Sequence, residues 1–235
     1  MREEHNERGE KLYNPFPPAG MSCFPSGRVV KVVFKKNKRR ICIHMIIGIT
    51  GGIGSGKSMV CRELKEMGYP VYDTDKEAKK LILHQENVHQ QIEQLFGEEA
   101  FADGVYQTAW VAQQVFAQPT LLAQLNAIVH PAVKEDIRRW AAEQTENKWL
   151  FVECAILYEA GMDALCDQVV CVSAPEEVRI ERVIARDRSD IHKVRARMRT
   201  QNAESYEQRA NKVLNNDGQR SIQALCQEII AHLQK

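Results

Sequence analysis

Between Ile46 and Ser58 the chain reads IIGITGGIGSGKS, and no other stretch constrains the fold as tightly. Gly51, four residues, Gly56, Lys57 and Ser58 have the G-x-x-x-x-G-K-[ST] spacing of a phosphate-binding loop, entered by an apolar run and left by a helix-like one. Glycines at 51, 52, 54 and 56 let the backbone take positive φ and turn successive N–H groups toward an anion. A helix beginning near Gly56 adds its unpaired N–H donors and partial positive charge at the same point. In such a loop Lys57 reaches the β- and γ-phosphates of a nucleotide, and the Ser58 hydroxyl takes a place on Mg²⁺. The alternative, a glycine-rich turn before an ordinary helix, leaves the Lys-Ser pair without a purpose.

Downstream, Met59, Val60, Leu64 and Met67 recur at helical spacing and Gly68 stops the helix. Pro70-Val71-Tyr72 reads as a second strand that delivers Asp73 and Asp75 to its carboxyl end, the side on which ligands bind in an open α/β sheet. From Lys76 to Gln144 the pattern is nearly all helical, with breaks at Gly97, Asp103-Gly104 and Pro119. That is far longer than a βαβ crossover needs, so a helical insertion over the sheet is expected. Trp149 to Val152 is an unbroken apolar run, as in a strand covered on both faces, and ends at Glu153; Val169 to Val172 is another. Pro175 is placed for the first turn of the next helix. That helix opens a basic series, with eight Lys/Arg between 179 and 199, followed by a short strand at 212–214, an Asn-Asn-Asp-Gly turn and an amphipathic helix over 222–233.

Charge divides the chain at Met45. Residues 1–44 hold 10 Lys/Arg against 4 Asp/Glu, a net +6, while the remainder holds 22 against 27, a net −5. The tail has four prolines, a basic cluster from Lys35 to Arg40 and too little apolar content to offset ordering entropy. It is expected to be a disordered or non-native extension, although Arg28 to Phe34 alternates well enough for a strand. Seven scattered cysteines without a C-x-x-C pair argue against a disulfide framework or a zinc site and for a reducing, cytoplasmic setting. No apolar run approaches the ~20 residues of a membrane span.

A phosphate loop alone leaves kinase, GTPase and ATPase open. No Asn-Lys-x-Asp guanine signature occurs, the aspartate being absent at Asn211-Lys212-Val213-Leu214, and the strand that in motor ATPases ends in a magnesium-binding aspartate ends here in Glu153. A carboxylate pair after the second strand, a helical insertion and a late arginine-rich segment favour a small-molecule kinase, because phosphoryl transfer asks for positioning and charge neutralisation. Asp75 is the candidate to orient an acceptor hydroxyl and take its proton, with Asp73 as its support; the competing role for Asp75 is a helix N-cap. Arg182 and Arg186 suit a lid over the transferring phosphoryl, the alternative being a salt-bridged surface helix. The lack of aromatic residues between Glu176 and Gln201 argues against nucleic-acid binding. His130 reads as a capping or buried histidine before a first-turn proline.

Taken in order, Gly48 to Ser58, Tyr72-Asp-Thr-Asp75, Phe96-Gly97, Asp103-Gly104, His130-Pro131, Ile156-Leu-Tyr-Glu-Ala-Gly161, Glu181 to Asp187, Arg197 with Gln201, and Asn215 to Gly218 resemble the dephospho-coenzyme A kinases. The resemblance runs from Met45 to the C-terminus and omits the tail. It departs at Met59, where many members have threonine, and at Ala155-Ile156-Leu157, where many have a proline. It implies an α/β P-loop kinase fold: a three-layer core with a five-stranded parallel sheet, a helical substrate-domain insertion and a lid. The corresponding divisions are 1–44 tail, 45–82 and 147–182 core, 83–146 insertion binding dephospho-coenzyme A, 183–206 lid, and 207–235 last strand and helix.

The same resemblance implies transfer of phosphate from ATP to the ribose 3′-hydroxyl of dephospho-coenzyme A. Another nucleoside or nucleotide kinase, or a nucleotide-switched binding module, is the alternative. Asp75, Lys57, Arg182 and Thr50 are its catalytic positions. Gly52, Ile53, Gly54, Ser55, Gly56, Lys57, Ser58, Arg186 and Asn216 meet the nucleotide, with Asn216 near adenine. Asp75, His130, Pro131 and Glu159 meet the acceptor, and Ser58 meets Mg²⁺. The implied partners are ATP and dephospho-coenzyme A, with no nucleic acid or membrane, in a monomer or weak homo-oligomer.

Overall fold

The structure is a computed structural model that describes residues 44–102, 104–188, 190–199, 201 and 203–234. The tail over 1–43, with the expected Arg28 to Phe34 strand and the basic cluster, and Asp103 lie outside the described residues.

Five parallel strands form the centre: β1 (Met45–Thr50), β2 (Val71–Asp73), β5 (Trp149–Glu153), β6 (Gln168–Ser173) and β7 (Lys212–Asn215), in the order β2-β5-β1-β6-β7. Alternation along the strands sends side chains to two cores. Ile47 and Ile49 join Trp149, Phe151, Val170, Val172 and Leu214 under α1 (Lys57–Glu66) and α9 (Ile222–Leu233), which supply Val60, Leu64, Cys226, Ile229 and Leu233. On the other face Tyr72, Val152 and Val169 pack with Leu157, Met162 and the Val133 and Ile137 side chains of a long helix, α5 (Pro119–Glu143). Side chains such as Phe151, Ile47 and Leu64 are fully buried, each worth ~1.5–3 kcal/mol over leaving it in water. Two apolar faces covered by helices give the three layers.

Helix α1 ends as the sequence predicts: the Gly68 N–H donates to Lys65 O and the Tyr69 N–H to Leu64 O, with Gly68 at φ 89°, a Schellman closure. Its core residues are Val60, Cys61 and Leu64, while Met59 and Met67 are exposed. Periodicity alone had put both methionines on the apolar face.

The long stretch between β2 and β5 is built of α2 (Thr74–His84), α3 (Glu86–Phe96), α4 (Thr108–Ala117) and α5, with a third core of Ile82, Val88, Ile92, Ala100 and Val111. It also holds a two-stranded antiparallel hairpin, β3 (Phe101–Ala102) and β4 (Val105–Tyr106), on either side of the expected break in the helical pattern; the strands themselves were not expected. Such short strands carry no periodicity of their own; the Asp103-Gly104 turn is their only sequence signal. Pro119 opens α5, but Pro131 lies inside it. The first-turn reading of His130-Pro131 is therefore corrected: the helix runs on through both, held by α3 and α4 on its N-terminal half and by the sheet on its C-terminal half.

The basic series forms α6 (Glu176–Asp187), α7 (Ile191–Arg199) and α8 (Ala203–Arg209). Pro175 stands at the N-cap of α6, one residue before the first turn. Arg188, at φ 48°, ends α6 in the left-handed conformation. Among the described residues no helix is long and apolar enough to cross a membrane.

Candidate active site

The carboxyl ends of the strands meet at one mouth. Asp73 pairs in register with Glu153, Ile49 with the same Glu153, Thr50 with Cys171 and Ser173 with Asn215. The chain leaves β1 there and bends through Gly51 to Gly56 into α1, so the loop lies where the parallel sheet opens toward a ligand.

Four residues from three other parts of the chain hold the loop. Asn216, only 3% exposed, donates its side-chain amide to Ser55 O at 2.7 Å. Arg182 donates to Asn216 O at 3.0 Å and to Asn216 Oδ1 at 3.4 Å. Arg179 Nε donates to Ile53 O at 2.9 Å, and the Ile53 N–H donates to Gln201 Oε1 at 2.7 Å. Gly56 must be glycine twice over: its φ is 96°, and a Cβ would stand 2.3 Å from Asn216 Nδ2. These bonds fix the loop's carbonyls, which determines where its N–H groups point.

Lys57 folds back over the loop and donates to Gly51 O at 2.7 Å and Gly52 O at 3.2 Å. Burial lowers its pKa, opposed by the nearby Glu153, Cys61 and Asp75. Ser58 donates its hydroxyl to Glu153 Oε1 at 2.7 Å. Thr50, at the end of β1, and Ser55, within the loop, are fully buried, and neither hydroxyl has a hydrogen-bond partner among the described residues.

Across the mouth, Asp73 accepts the Lys76 N–H at 3.0 Å and is the N-cap of α2. The capping role considered for Asp75 therefore belongs to Asp73. Asp75 is exposed in the first turn of α2, and its carboxylate makes no hydrogen bond among the described residues. It lines a cavity of about 590 Å³ together with Gly54, Gly56, Lys57, Ser58, Glu153, Arg182 and Arg186. Asp75 also borders a second cavity of about 470 Å³ shared with Ser58, Glu153 and the lysines of α2.

The remaining sequence-derived positions fall in different settings. Arg186 reaches the cavity rim and pairs with Asp187 at 2.6 Å, while Arg197 bonds the same carboxylate at 3.2 Å. These bonds, from Arg186 above all, hold the Asp187 pKa down to about 2. Glu159 accepts a hydrogen bond from Tyr206 on α8. His130 and Pro131 stand in the middle of α5 and line neither cavity. Burial and the adjacent Lys134 lower the His130 pKa. Asn216 is buried beneath the loop with its amide committed to Ser55; on this geometry it is a tether for the loop, not a free edge for reading a base. Arg179, which no motif marks, and Gln201, which the resemblance names only as the partner of Arg197, both belong to the site through Ile53. Arg179 shares a face of α6 with Arg182 and Arg186, a spacing of three and seven that marks one stripe.

A family model for dephospho-CoA kinase matches residues 45–221. A dephospho-CoA kinase from Porphyromonas gingivalis is 44% identical over 158 residues, covering 67% of this chain and 78% of that one. One from Bacteroides fragilis is 39% identical over 188 residues, 80% of this chain and 92% of that one. The crystal structure of a Thermus thermophilus protein, TT1252, superposes with a TM-score of 0.70 at 36% identity, covering 81% of this chain and 97% of the other. A dephospho-CoA kinase from Campylobacter jejuni, at 21% identity and a TM-score of 0.60, shares the fold over 80% and 96% of the two chains. With a phosphate loop, a carboxylate that caps no helix and the arginine stripe of α6 meeting at one mouth, the chain belongs to the dephospho-CoA kinase family and phosphorylates the ribose 3′-hydroxyl of dephospho-coenzyme A with ATP, the last step of coenzyme A synthesis.

Proposed function

We propose a division of labour among the residues at this mouth. The loop N–H groups and Lys57 hold the β- and γ-phosphates of ATP. Arg182 and Arg186 face the same cavity and spread positive charge over the phosphoryl group in transit. Asp75 accepts a hydrogen bond from the 3′-hydroxyl of the acceptor and takes its proton as the oxygen attacks the γ-phosphorus and ADP leaves. Thr50 supports the reacting groups from beneath the loop. The observation that carries this reading is the freedom of Asp75: its neighbour Asp73 has taken the cap, and Asp75 shares a cavity with Lys57 and Ser58.

Magnesium fits the donor set. The Ser58 hydroxyl and the Glu153 carboxylate are hard oxygen ligands 2.7 Å apart, and a metal that arrives on phosphates needs few ligands from the protein. When bound, it neutralises charge on the β- and γ-oxygens. Ser58 and Glu153 are the residues that would hold it, Ser58 directly.

The helical segment 83–146 is the dephospho-coenzyme A unit in this reading, with His130, Pro131 and Glu159 shaping its floor. Residues 183–206 form the lid over a core made of 45–82, 147–182 and 207–235. A cytoplasmic setting is supported by the described cysteines, Cys61, Cys154, Cys166, Cys171 and Cys226, all free thiols. Burial pushes the pKa of Cys166, Cys171 and Cys226 up to about 12. We take the protein to act as a monomer or weak homo-oligomer without nucleic acid or membrane.

The test is turnover by Asp75→Asn. At saturating ATP and acceptor, kcat falls by roughly 10²-fold or more, the scale of losing a general base. Turnover at the wild-type rate would remove Asp75 from the chemistry.

A further inference from the structure

Helix α2 continues beyond Asp75 with a pattern that the transfer step does not use. Asp75, Lys79 and Leu83 follow one another at intervals of four, and all three line the cavity of about 470 Å³ that has Ser58 and Glu153 at its loop end. Residues four apart share a helix face and are separated by about 6 Å along its axis. Read outward from the loop, the face presents a carboxylate, then an ammonium, then an isobutyl group. Lys80, on the same helix, is paired with Glu77 at 2.9 Å. Lys79 is exposed and has no ion-pair partner among the described residues. Lys76 lines the cavity nearer Asp75.

The acceptor has matching parts in the same order. Its ribose 3′-hydroxyl is followed, about one helical turn away, by the 5′-diphosphate, and beyond that by the dimethyl-bearing start of the pantetheine arm. We infer that α2 reads the acceptor along its length: Lys79 binds the 5′-diphosphate, with Lys76 flanking it, and Leu83 packs against the apolar start of the arm. This rests on the reading of Asp75 as the group that orients the hydroxyl. It assigns acceptor selection to the same helix face as catalysis. An adenosine 5′-phosphate could satisfy Asp75 and Lys79 but would leave Leu83 uncovered, so the third position separates the true acceptor from a common nucleotide.

The experiment is steady-state kinetics of the full chain with ATP and dephospho-coenzyme A varied in turn, for wild type, Lys79→Ala, Lys79→Arg and Leu83→Ala. Lys65→Ala, an exposed lysine on α1, serves as the control. Losing a charged hydrogen bond to a diphosphate raises the KM for dephospho-coenzyme A about tenfold in Lys79→Ala. In that variant kcat and the KM for ATP stay near wild type, Lys79→Arg recovers most of the loss, and the rise of acceptor KM with added salt becomes shallower. Leu83→Ala raises the same KM about threefold and leaves its salt dependence intact. An acceptor KM unchanged in Lys79→Ala, or one that rises together with the KM for ATP, overturns the inference. If Lys79→Ala has no effect while Asp75→Asn has lost turnover, the reading of α2 fails and that of Asp75 stands. If Asp75→Asn turns over normally while Lys79→Ala weakens the acceptor, Lys79 keeps its ligand and Asp75 loses its role.

Discussion

The phosphate loop and the first turns of α2 face the same mouth, and they are built in opposite ways. In the loop the polar side chains are spent largely on the protein itself: Asn216 and Arg179 hold its carbonyls, Arg182 holds Asn216 in turn, and Lys57 rests on two more carbonyls. What remains for a ligand is backbone N–H groups and the Lys57 ammonium, which suit any phosphate and carry no identity of their own. Along α2 the backbone is consumed by the helix, Asp73 has closed its N-terminus, and Asp75, Lys79 and Leu83 are left to recognise a ligand by side chain. A phosphate is the same in every nucleotide and suits a rigid backbone cradle. An acceptor with a hydroxyl, a diphosphate and an apolar arm calls for different groups at different distances.

Each side of this contrast can be broken separately. The largest effect falls on the donor side: Lys57→Ala removes the loop side chain assigned to the transferring phosphates and is expected to lower kcat by about 10³-fold, the upper range for losing a transition-state donor. A variant within tenfold of wild type would mean that the backbone alone does the work. Next comes Gly56→Ala, in which a Cβ meets Asn216 Nδ2 at 2.3 Å on a backbone with φ 96°. It costs about 1–3 kcal/mol of stability and lowers the melting temperature by about 2–4 °C for each kcal/mol, with ATP affinity falling and acceptor KM unchanged. The mildest effect lies away from both the loop and the first turns of α2. The folded-state pKa of His130 is lowered by burial and by Lys134, so below its unfolded value of about 6.5 the unfolded chain binds the extra proton first. Stability from this group is present above that value and is lost as pH falls through the folded pKa. Urea melts of His130→Gln at pH 7 and pH 5 should show a smaller drop than wild type; an equal drop would place the acid sensitivity elsewhere.

The contrast also explains what could be read in the amino acids. The phosphate loop, the five strands and the helical insertion follow from local pattern: glycine spacing, unbroken apolar runs, and apolar residues at three and four. Asp75 and Lys57 were legible because their residue types sit at positions that strand polarity fixes. The ties that hold the loop were not legible. Arg179 and Gln201 reach Ile53 from 126 and 148 residues away, and Asn216 reaches Ser55 from 161; no local rule links such positions. Pro131 misled for another reason. Proline removes one helix hydrogen bond, yet α5 is clamped on both halves by different cores, so tertiary packing overrides the break. That Asp73 and not Asp75 is the cap turns on where α2 begins, and a shift of two residues is within the usual fraying of such boundaries.

The central claim is that the donor and acceptor sides are separable, and calorimetric titration of ATP into Asp75→Asn and Lys57→Ala tests it most directly. Asp75→Asn should bind ATP within about twofold of wild type and Lys57→Ala at least tenfold more weakly, because of these two residues only the lysine is assigned to the donor. ATP affinity that falls as far in Asp75→Asn as in Lys57→Ala would contradict the division.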